Sequence, residues 1–296
     1  MQNKKIDKEK IKTWFVTGAS SGIGHEICRQ LLIRGYNVVA VARRLPDFRD
    51  KNILCLSADV TNSDAIQNAI NDGIKKFGRI DVLSNNAGIS SDISCEEESL
   101  AHMKYVMDVN FFGAFNTINT ILPHFRKNGH GTIINNTSEC GVSPRKLGTA
   151  YCSSKYALEG LSAVCWHECK RFCRIMTLEL GFFKGTEIGK NKKIVKSNIN
   201  EYQNIPSFYK KCYFVCENKK ELGVSLLLDQ IEYEKLPRHL TLGKDACFHI
   251  KAEIECTKKD LINSKKISSK CSFYNYGQMF KLAKKLIWEK IIRKAK

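Results

Sequence analysis

The stretch "WFVTGASSGIGHEICRQLLIRG", Trp14–Gly35, passes from an apolar run through a glycine-rich loop into a helical pattern. "TWFVTG", Thr13–Gly18, is short, apolar and ends on glycine, which reads as a buried strand. "HEICRQLLIRG", His25–Gly35, carries apolar residues at helical spacing and stops on glycine. Between them, "TGASSGIG" omits side chains at Gly18, Gly22 and Gly24, where backbone must turn tightly and approach a ligand closely. The helix starts at that loop, so its free N–H groups and positive dipole end face any bound pyrophosphate. Strand, glycine loop and helix in this order supply the context that a dinucleotide fingerprint requires. Gly18, Ser20, Ser21, Gly22, Ile23 and Gly24 are the expected phosphate-side contacts.

The same alternation continues along the chain. Tyr36–Arg43, Asn52–Val60, Ile80–Gly88, Gly131–Ser138 and Cys173–Gly181 read as further strands, with amphipathic helical stretches between most of them. The run Ser99–Asn128 reads as one long helix, and Thr149–Phe172 as another. Apolar strands alternating with amphipathic helices imply parallel pairing. The fold class is therefore α/β, a Rossmann-type doubly wound parallel sheet in three α/β/α layers. It is expected as a single domain, residues 11–257, with a substrate lid at about 186–222 where the pattern fails. Residues 258–296 form a basic C-terminal extension with a helical pattern.

Composition narrows the class. Hydrophobic residues make up 43 % of 296, enough for a sizeable core. "MQNKKIDKEKIK" carries charge where the apolar core of a secretory leader would lie, and no apolar run approaches a membrane span, so a cytoplasmic protein is expected. Thirteen dispersed cysteines fit reduced thiols better than a disulfide scaffold. Cys165, Cys169 and Cys173 share a helix face, but no histidine or fourth ligand completes a zinc spacing, so no metal is expected. The net charge of +18 is uneven: Lys258–Lys296 alone holds twelve Lys/Arg against two Asp/Glu. Such an appendage suggests a partner of its own. No nucleic-acid recognition motif accompanies the charge, and nucleic acid is not expected as a partner.

The spacing TGxxxGxG resembles the short-chain dehydrogenase/reductase family. Asp59-Val60, "NNAG" (Asn85–Gly88), "VNFFG" with Asn110, Ser138, and Tyr-x-x-x-Lys at Tyr151 and Lys155 follow in the family's order. The resemblance covers about residues 11–255 and implies that Asp59 and Val60 line the adenine. It places Asn86, Ala87 and Gly88 on the adenosine ribose side. It also implies a homo-oligomer, a dimer or tetramer formed through the helices around Asn110 and Tyr151–Phe172.

An NAD-selective site needs a carboxylate at the end of the second strand to accept from the ribose 2′-OH. Ala42 stands there, followed by Arg43 and Arg44, whose guanidinium groups suit a 2′-phosphate. NADP(H) is the expected cofactor; the plainer account of the arginines is a solvated pair.

Residues four apart share a helix face, so Tyr151 and Lys155 point to one cleft. A phenol has an ordinary pKa of ~10, and a nearby positive charge lowers it toward the range useful for acid–base work. Tyr156 lies about 100° around the helix from Lys155 and reads as packing. Ser138 closes the fifth strand, where its hydroxyl can orient a substrate oxygen. The resemblance implies that Lys155 contacts the nicotinamide ribose and that Asn110 holds a water connecting Lys155 to solvent. The expected activity is interconversion of a carbonyl compound and an alcohol, with Tyr151, Lys155, Ser138 and Asn110 as the catalytic set.

One departure stands out. The family's Pro-Gly after the sixth strand is Leu180-Gly181 here, and Thr186 lies five residues beyond Gly181 rather than four. The turn is expected to be less rigid without proline, and Thr186 is a weak candidate for the cofactor site. This departure also supports an alternative, an idle NADP(H)-binding relative with a structural or sensing role. In the lid, Tyr202, Phe208, Tyr209, Tyr213 and Phe214 fit either a closing apolar staple or a pocket for an apolar carbonyl substrate. In the tail, Phe280, Ala283, Ile287 and Ile291 share one face, with Lys281, Lys284, Lys285 and Lys294 mostly elsewhere. Such a helix can lie peripherally on an anionic membrane or equally pack against protein.

Overall fold

The computed structural model describes residues 12–184, 186, 193–195, 197–205 and 218–268, with single positions 270, 277, 281 and 284. The chain divides into two compact units, residues 1–250 and 251–296. The first holds a seven-stranded parallel sheet. Its strands are β1 (Thr13–Thr17), β2 (Asn37–Ala42), β3 (Ile53–Ser57), β4 (Val82–Asn85), β6 (Thr132–Asn136), β7 (Arg174–Leu180) and β9 (His239–Leu242). Their spatial order is β3-β2-β1-β4-β6-β7-β9, and every neighbouring pair is parallel. The order reverses between β1 and β4, and the crevice beyond the carboxyl ends of the strands at such a reversal is where ligands bind in open α/β sheets. This is the expected doubly wound α/β fold.

Alternate residues of each strand feed opposite layers. Trp14, Val16, Val38 and Ala40 pack with Ile27 and Leu31 of α1 (Gly22–Ile33) and with Val224, Leu227 and Ile231 of α7 (Lys220–Ile231). Phe15, Val39, Leu83 and Ile133 face the other way. They pack with α2 (Ser63–Phe77), α4 (Gly113–Asn128) and α5 (Thr149–Cys169) through Ile66, Ile70, Ile121, Phe125 and Cys165. Cys165, Cys169 and Cys173 are all buried in this second layer, and burial pushes the Cys165 thiol up to about 11.

Three elements differ from the sequence reading. The stretch expected as one long helix is α3 (Leu100–Met107), a π turn (Asp108–Phe112) and α4. "HLTL" at His239–Leu242, unassigned from sequence, is the seventh strand. The region expected as a lid contributes β8 (Lys193–Ile194), paired with β5 (Ser91–Asp92), and the short helix α6 (Asn200–Gln203). Ser197 Oγ and the Asn198 amide donate to Glu97 at 3.0 and 3.2 Å, and Tyr202 donates to Glu96 at 2.8 Å. Phe208, Tyr209, Tyr213 and Phe214 lie outside the described residues. α8 (Lys244–Ser268) carries the chain from the first unit into the second. Lys281 and Lys284 are helical, whereas Phe280, Ala283, Lys285, Ile287, Ile291 and Lys294 lie outside the described residues.

Candidate active site

The glycine loop leaves β1 and enters α1 at the reversal point. Gly18 has φ +65°, and a Cβ there would stand 2.9 Å from the Ala87 Cα. A Cβ on Gly24 would overlap the Gly18 carbonyl oxygen and Asn86 Nδ2. The loop is thus seated directly on the end of β4. Thr17 Oγ1 accepts the amides of Asn86 and Ala87, both at 3.0 Å, and Asn86 Nδ2 returns a bond to the Thr17 carbonyl at 3.2 Å. Thr17 lies within the quoted motif, yet its role as the pin between two loops depends on a 69-residue separation that spacing does not show. Ser21 is the N-cap of α1, but no side chain caps that end and its first turn contains no acid. The leading amides therefore remain available to an anion. This cradle, too tight for side chains and open at a helix start, fits a dinucleotide phosphate.

At the end of β2, Ala42 is 7 % exposed and offers no carboxylate. Arg44 donates to the Ser20 carbonyl of the glycine loop at 3.1 Å, which fixes a cation beside the phosphate cradle. Arg43, also exposed, reaches the Tyr105 hydroxyl at 3.3 Å. Asp59 turns onto Thr61, accepting from its amide and hydroxyl at 2.9 Å each. Val60 is buried, and its carbonyl accepts from Asn116 at 3.0 Å.

Ser138, Tyr151 and Lys155 converge beyond β6. Ser138 and Tyr151 are each 8 % exposed, and the Ser138 hydroxyl is close enough to act on the phenol's ionisation. Lys155 is 3 % exposed; its Nζ donates to the Asn136 carbonyl at 2.8 Å and stands 5.8 Å from the Tyr151 ring centre. A Cβ on Gly88 would lie 3.3 Å from Asn110 Oδ1 and 3.6 Å from Lys155 Nζ, so the "NNAG" segment floors this cleft. Asn110 sits in the π turn and is fixed three times. Its Oδ1 accepts the Ile89 amide at 2.8 Å, and its Nδ2 donates to the Ile89 carbonyl at 3.0 Å and to Ser154 at 2.9 Å. The extra residue of the π turn aims this side chain inward.

Electrostatics corrects one expectation. Burial pushes the Tyr151 phenol above its ordinary value, and the Ser138 bond and the Arg145 guanidinium only offset part of that. The lysine moves instead: burial lowers Lys155 to about 8, against the pull of Cys140 and Glu159. Arg145, 5.9 Å from the Tyr151 ring, was not legible as a neighbour in the sequence. Tyr156 also differs from expectation. It is 42 % exposed rather than packed, and its hydroxyl donates to the Val142 carbonyl.

The turn after β7 is not loose. The Phe182 amide donates to Asp245 Oδ2 at 2.7 Å, while Asn218 donates to the Phe182 carbonyl at 2.9 Å and to Asp245 Oδ1 at 2.8 Å. Phe183 is buried against Gly223. This clamp stands where the family's proline would restrain the chain. Thr186 donates its hydroxyl to the Phe183 carbonyl at 3.2 Å.

Glu159, Glu179 and His239 place ligand-type atoms within 4.8 Å of one another. His239 bonds Glu179 at 2.7 Å and Thr241 donates to it at 2.6 Å, so the Glu179 oxygens already have partners. Among the described residues no helix is long and apolar enough to cross a membrane.

Fold and site together have the architecture of the dinucleotide-binding oxidoreductases, with a Ser, Tyr and Lys cleft. The short chain dehydrogenase family model matches residues 12–196, and the chain belongs to that family. It is 34 % identical over 159 residues to human dehydrogenase/reductase SDR family member 7, covering 49 % of this chain and 47 % of that one. It is 37 % identical over 147 residues to 3-ketodihydrosphingosine reductase of Bacteroides thetaiotaomicron, covering 50 % and 54 %. The chain thus spans about half the length of these curated relatives. The crystal structure of a short-chain dehydrogenase from Streptomyces avermitilis superposes with a TM-score of 0.81 at 26 % identity, covering 89 % of this chain and 99 % of that one.

Proposed function

We propose that this protein is an NADP(H)-dependent oxidoreductase that interconverts a carbonyl compound and an alcohol, with Tyr151 as the acid/base. The observation that carries the reading is the convergence of Ser138, Tyr151 and Lys155 at the open end of the phosphate cradle. When bound, a reduced nicotinamide cofactor would supply the hydride for the carbonyl carbon. Ser138 donates to the carbonyl oxygen and orients it beside Tyr151. Tyr151, whose raised pKa keeps it protonated at neutral pH, gives its proton to that oxygen. Lys155 holds the nicotinamide ribose and returns a proton toward the phenol, with Asn110 fixing the wall behind it. Gly18, Ser20, Ser21, Gly22, Ile23 and Gly24 hold the phosphates, Asp59 and Val60 flank the adenine, and Asn86, Ala87 and Gly88 flank its ribose.

The missing acid at Ala42 and the anchored Arg44 favour the 2′-phosphate form. An apolar carbonyl compound is the substrate class we propose, on the name of the Bacteroides relative. Tyr105, Phe112, Phe115 and Val164, on the α3, π, α4 and α5 segments, are each more than 40 % exposed and support a homo-oligomer. Light scattering on the eluting peak tests that assembly.

A panel of aldehydes, ketones, keto-sphingoid bases and acyl thioesters with NADPH, followed at the nicotinamide absorbance, tests the activity. Turnover of at least one ketone is expected. In Tyr151→Phe, turnover should fall by about 100-fold or more, the scale of general acid–base catalysis, while NADPH still quenches intrinsic fluorescence at a similar concentration. Retained turnover in that variant refutes the acid/base assignment.

A further inference from the structure

Two thiols lie against the proton donor. Cys140 is in the 3₁₀ turn Glu139–Gly141 that follows Ser138, and Cys152 follows Tyr151 in the first turn of α5. Cys140, Tyr151 and Cys152 form one buried cluster, with the two cysteines 3 % and 6 % exposed. The two side chains pack in one cluster, and neither is in a disulfide. Each is tied to a residue of the cleft. The Cys140 amide donates to Ser138 Oγ at 3.2 Å, and Cys152 is the chain neighbour of Tyr151.

The pair is also reachable. Cys152 lines a cavity of about 570 Å³ together with Arg145, Lys146, Gly148 and Thr149. A Cβ on Gly148 would stand 2.5 Å from the Cys152 sulfur, so the sulfur packs directly against the Gly148 backbone at the cavity wall. The neighbouring Cys140 and then Arg145 hold the Cys152 thiol below its ordinary value, while Cys152 and burial push the Cys140 thiol up. One sulfur is thereby suited to attack and the other to resolve.

We propose that Cys140 and Cys152 are a peroxide-oxidisable dithiol that closes to a disulfide and switches the adjacent cleft off. The Cys152 thiolate attacks one oxygen of hydrogen peroxide; the S–O bond forms, the O–O bond breaks, and the departing hydroxide takes a proton to become water. The Cys140 sulfur then attacks the sulfenic sulfur; the S–S bond forms, the S–O bond breaks, and the second hydroxide leaves with the Cys140 proton as water. Two thiols lose two electrons, and peroxide gains them. The new bond ties the Ser138 turn to the first turn of α5, which shifts Ser138 Oγ out of register with the Tyr151 phenol. This loss of turnover rests on the acid/base reading of Tyr151; formation of the disulfide does not.

The test treats the purified full chain with stoichiometric hydrogen peroxide, blocks remaining thiols, and maps disulfides by proteolysis and mass spectrometry. A Cys140–Cys152 peptide is expected, accumulating in step with at least a tenfold loss of NADPH-dependent turnover, both reversed by dithiothreitol. Cys152→Ser, shown to be folded by its melting curve, should form no such peptide and keep its turnover through peroxide. Blocked Cys140 and Cys152 after treatment, or linkage of Cys152 to Cys95 on the same cavity, overturns the proposal. So does a complete Cys140–Cys152 linkage that leaves turnover unchanged. If the reduced enzyme turns over no carbonyl compound, the oxidoreductase reading fails while the peptide map still decides the dithiol.

Discussion

Lys155 Nζ donates to the main-chain carbonyl of Asn136 at 2.8 Å, and this bond sets where the ammonium sits. Asn136 ends β6, so the lysine is registered to the sheet rather than to a loop. The site is nearly dry, and burial lowers the lysine to about 8.

A pH profile separates the two titrating groups. The folded lysine is charged below about 8 and neutral above it, whereas Tyr151 keeps its proton past its ordinary range. If the charged lysine is required, kcat/KM for reduction should fall as pH rises through about 8. Lys155→Arg, charged at every accessible pH, should lose that limb while retaining measurable turnover. Lys155→Met should lower kcat/KM by about 10²- to 10⁴-fold, the usual worth of acid–base machinery. A limb that persists unchanged in the arginine variant would assign it to another group.

Cofactor preference should be movable at one position. Ala42 ends β2 where a carboxylate would meet the ribose 2′-oxygen. Ala42→Asp adds an acceptor for a 2′-hydroxyl and a repulsion for a 2′-phosphate. The ratio of kcat/KM with NADPH to that with NADH should move toward NADH by about 10- to 100-fold, the scale of one charged hydrogen bond. Arg44→Ala should weaken NADPH binding more than NADH binding. An unchanged ratio in both variants would place the 2′-phosphate elsewhere.

The clamp after β7 yields a third test. Asp245→Ala leaves the Phe182 amide and the Asn218 side-chain amide without their carboxylate. The expected cost is about 1–3 kcal/mol of stability, as for other deprived partners of a charged group, read from a denaturant midpoint. KM for the cofactor should rise in parallel if this turn, which carries the cofactor-site candidate Thr186, closes on the nicotinamide. A stability loss with no change in KM would confine the clamp to folding.

Much of this site is legible in the residues themselves. The glycine loop, "NNAG", Ser138 and Tyr151–Lys155 are local patterns whose spacing carries their geometry. What escapes is non-local or lacks a pattern. The π turn at Asp108–Phe112 inserts one residue into a helix without disturbing its apolar composition. β9 is four residues long, with His239 exposed and the other three half-buried, so no apolar run marks it. Asp245 reaches Phe182 across 63 positions, and Cys140 meets Cys152 only because a 3₁₀ turn folds back on α5.

Two glycines on helices should respond oppositely to the same added methyl. Gly24 lies in the first turn of α1, where a Cβ would overlap the Gly18 carbonyl and Asn86 Nδ2. Neither is free to move: Gly18 turns the phosphate loop, and Asn86 Nδ2 is bonded to the Thr17 carbonyl. Gly24→Ala should therefore separate the loop from β4 and weaken NADPH binding about tenfold or more, the effect of ~1.4 kcal/mol. Gly160 lies within α5, exposed, with nothing within 4 Å of its added Cβ. Gly160→Ala removes backbone freedom from the unfolded chain and should stabilise the protein by about 0.5–1 kcal/mol. Melting curves with and without NADPH read both effects. Loss of ligand-induced stabilisation in the first variant, with its retention in the second, is the expected pattern; equal behaviour would mean that the cradle does not hold the cofactor.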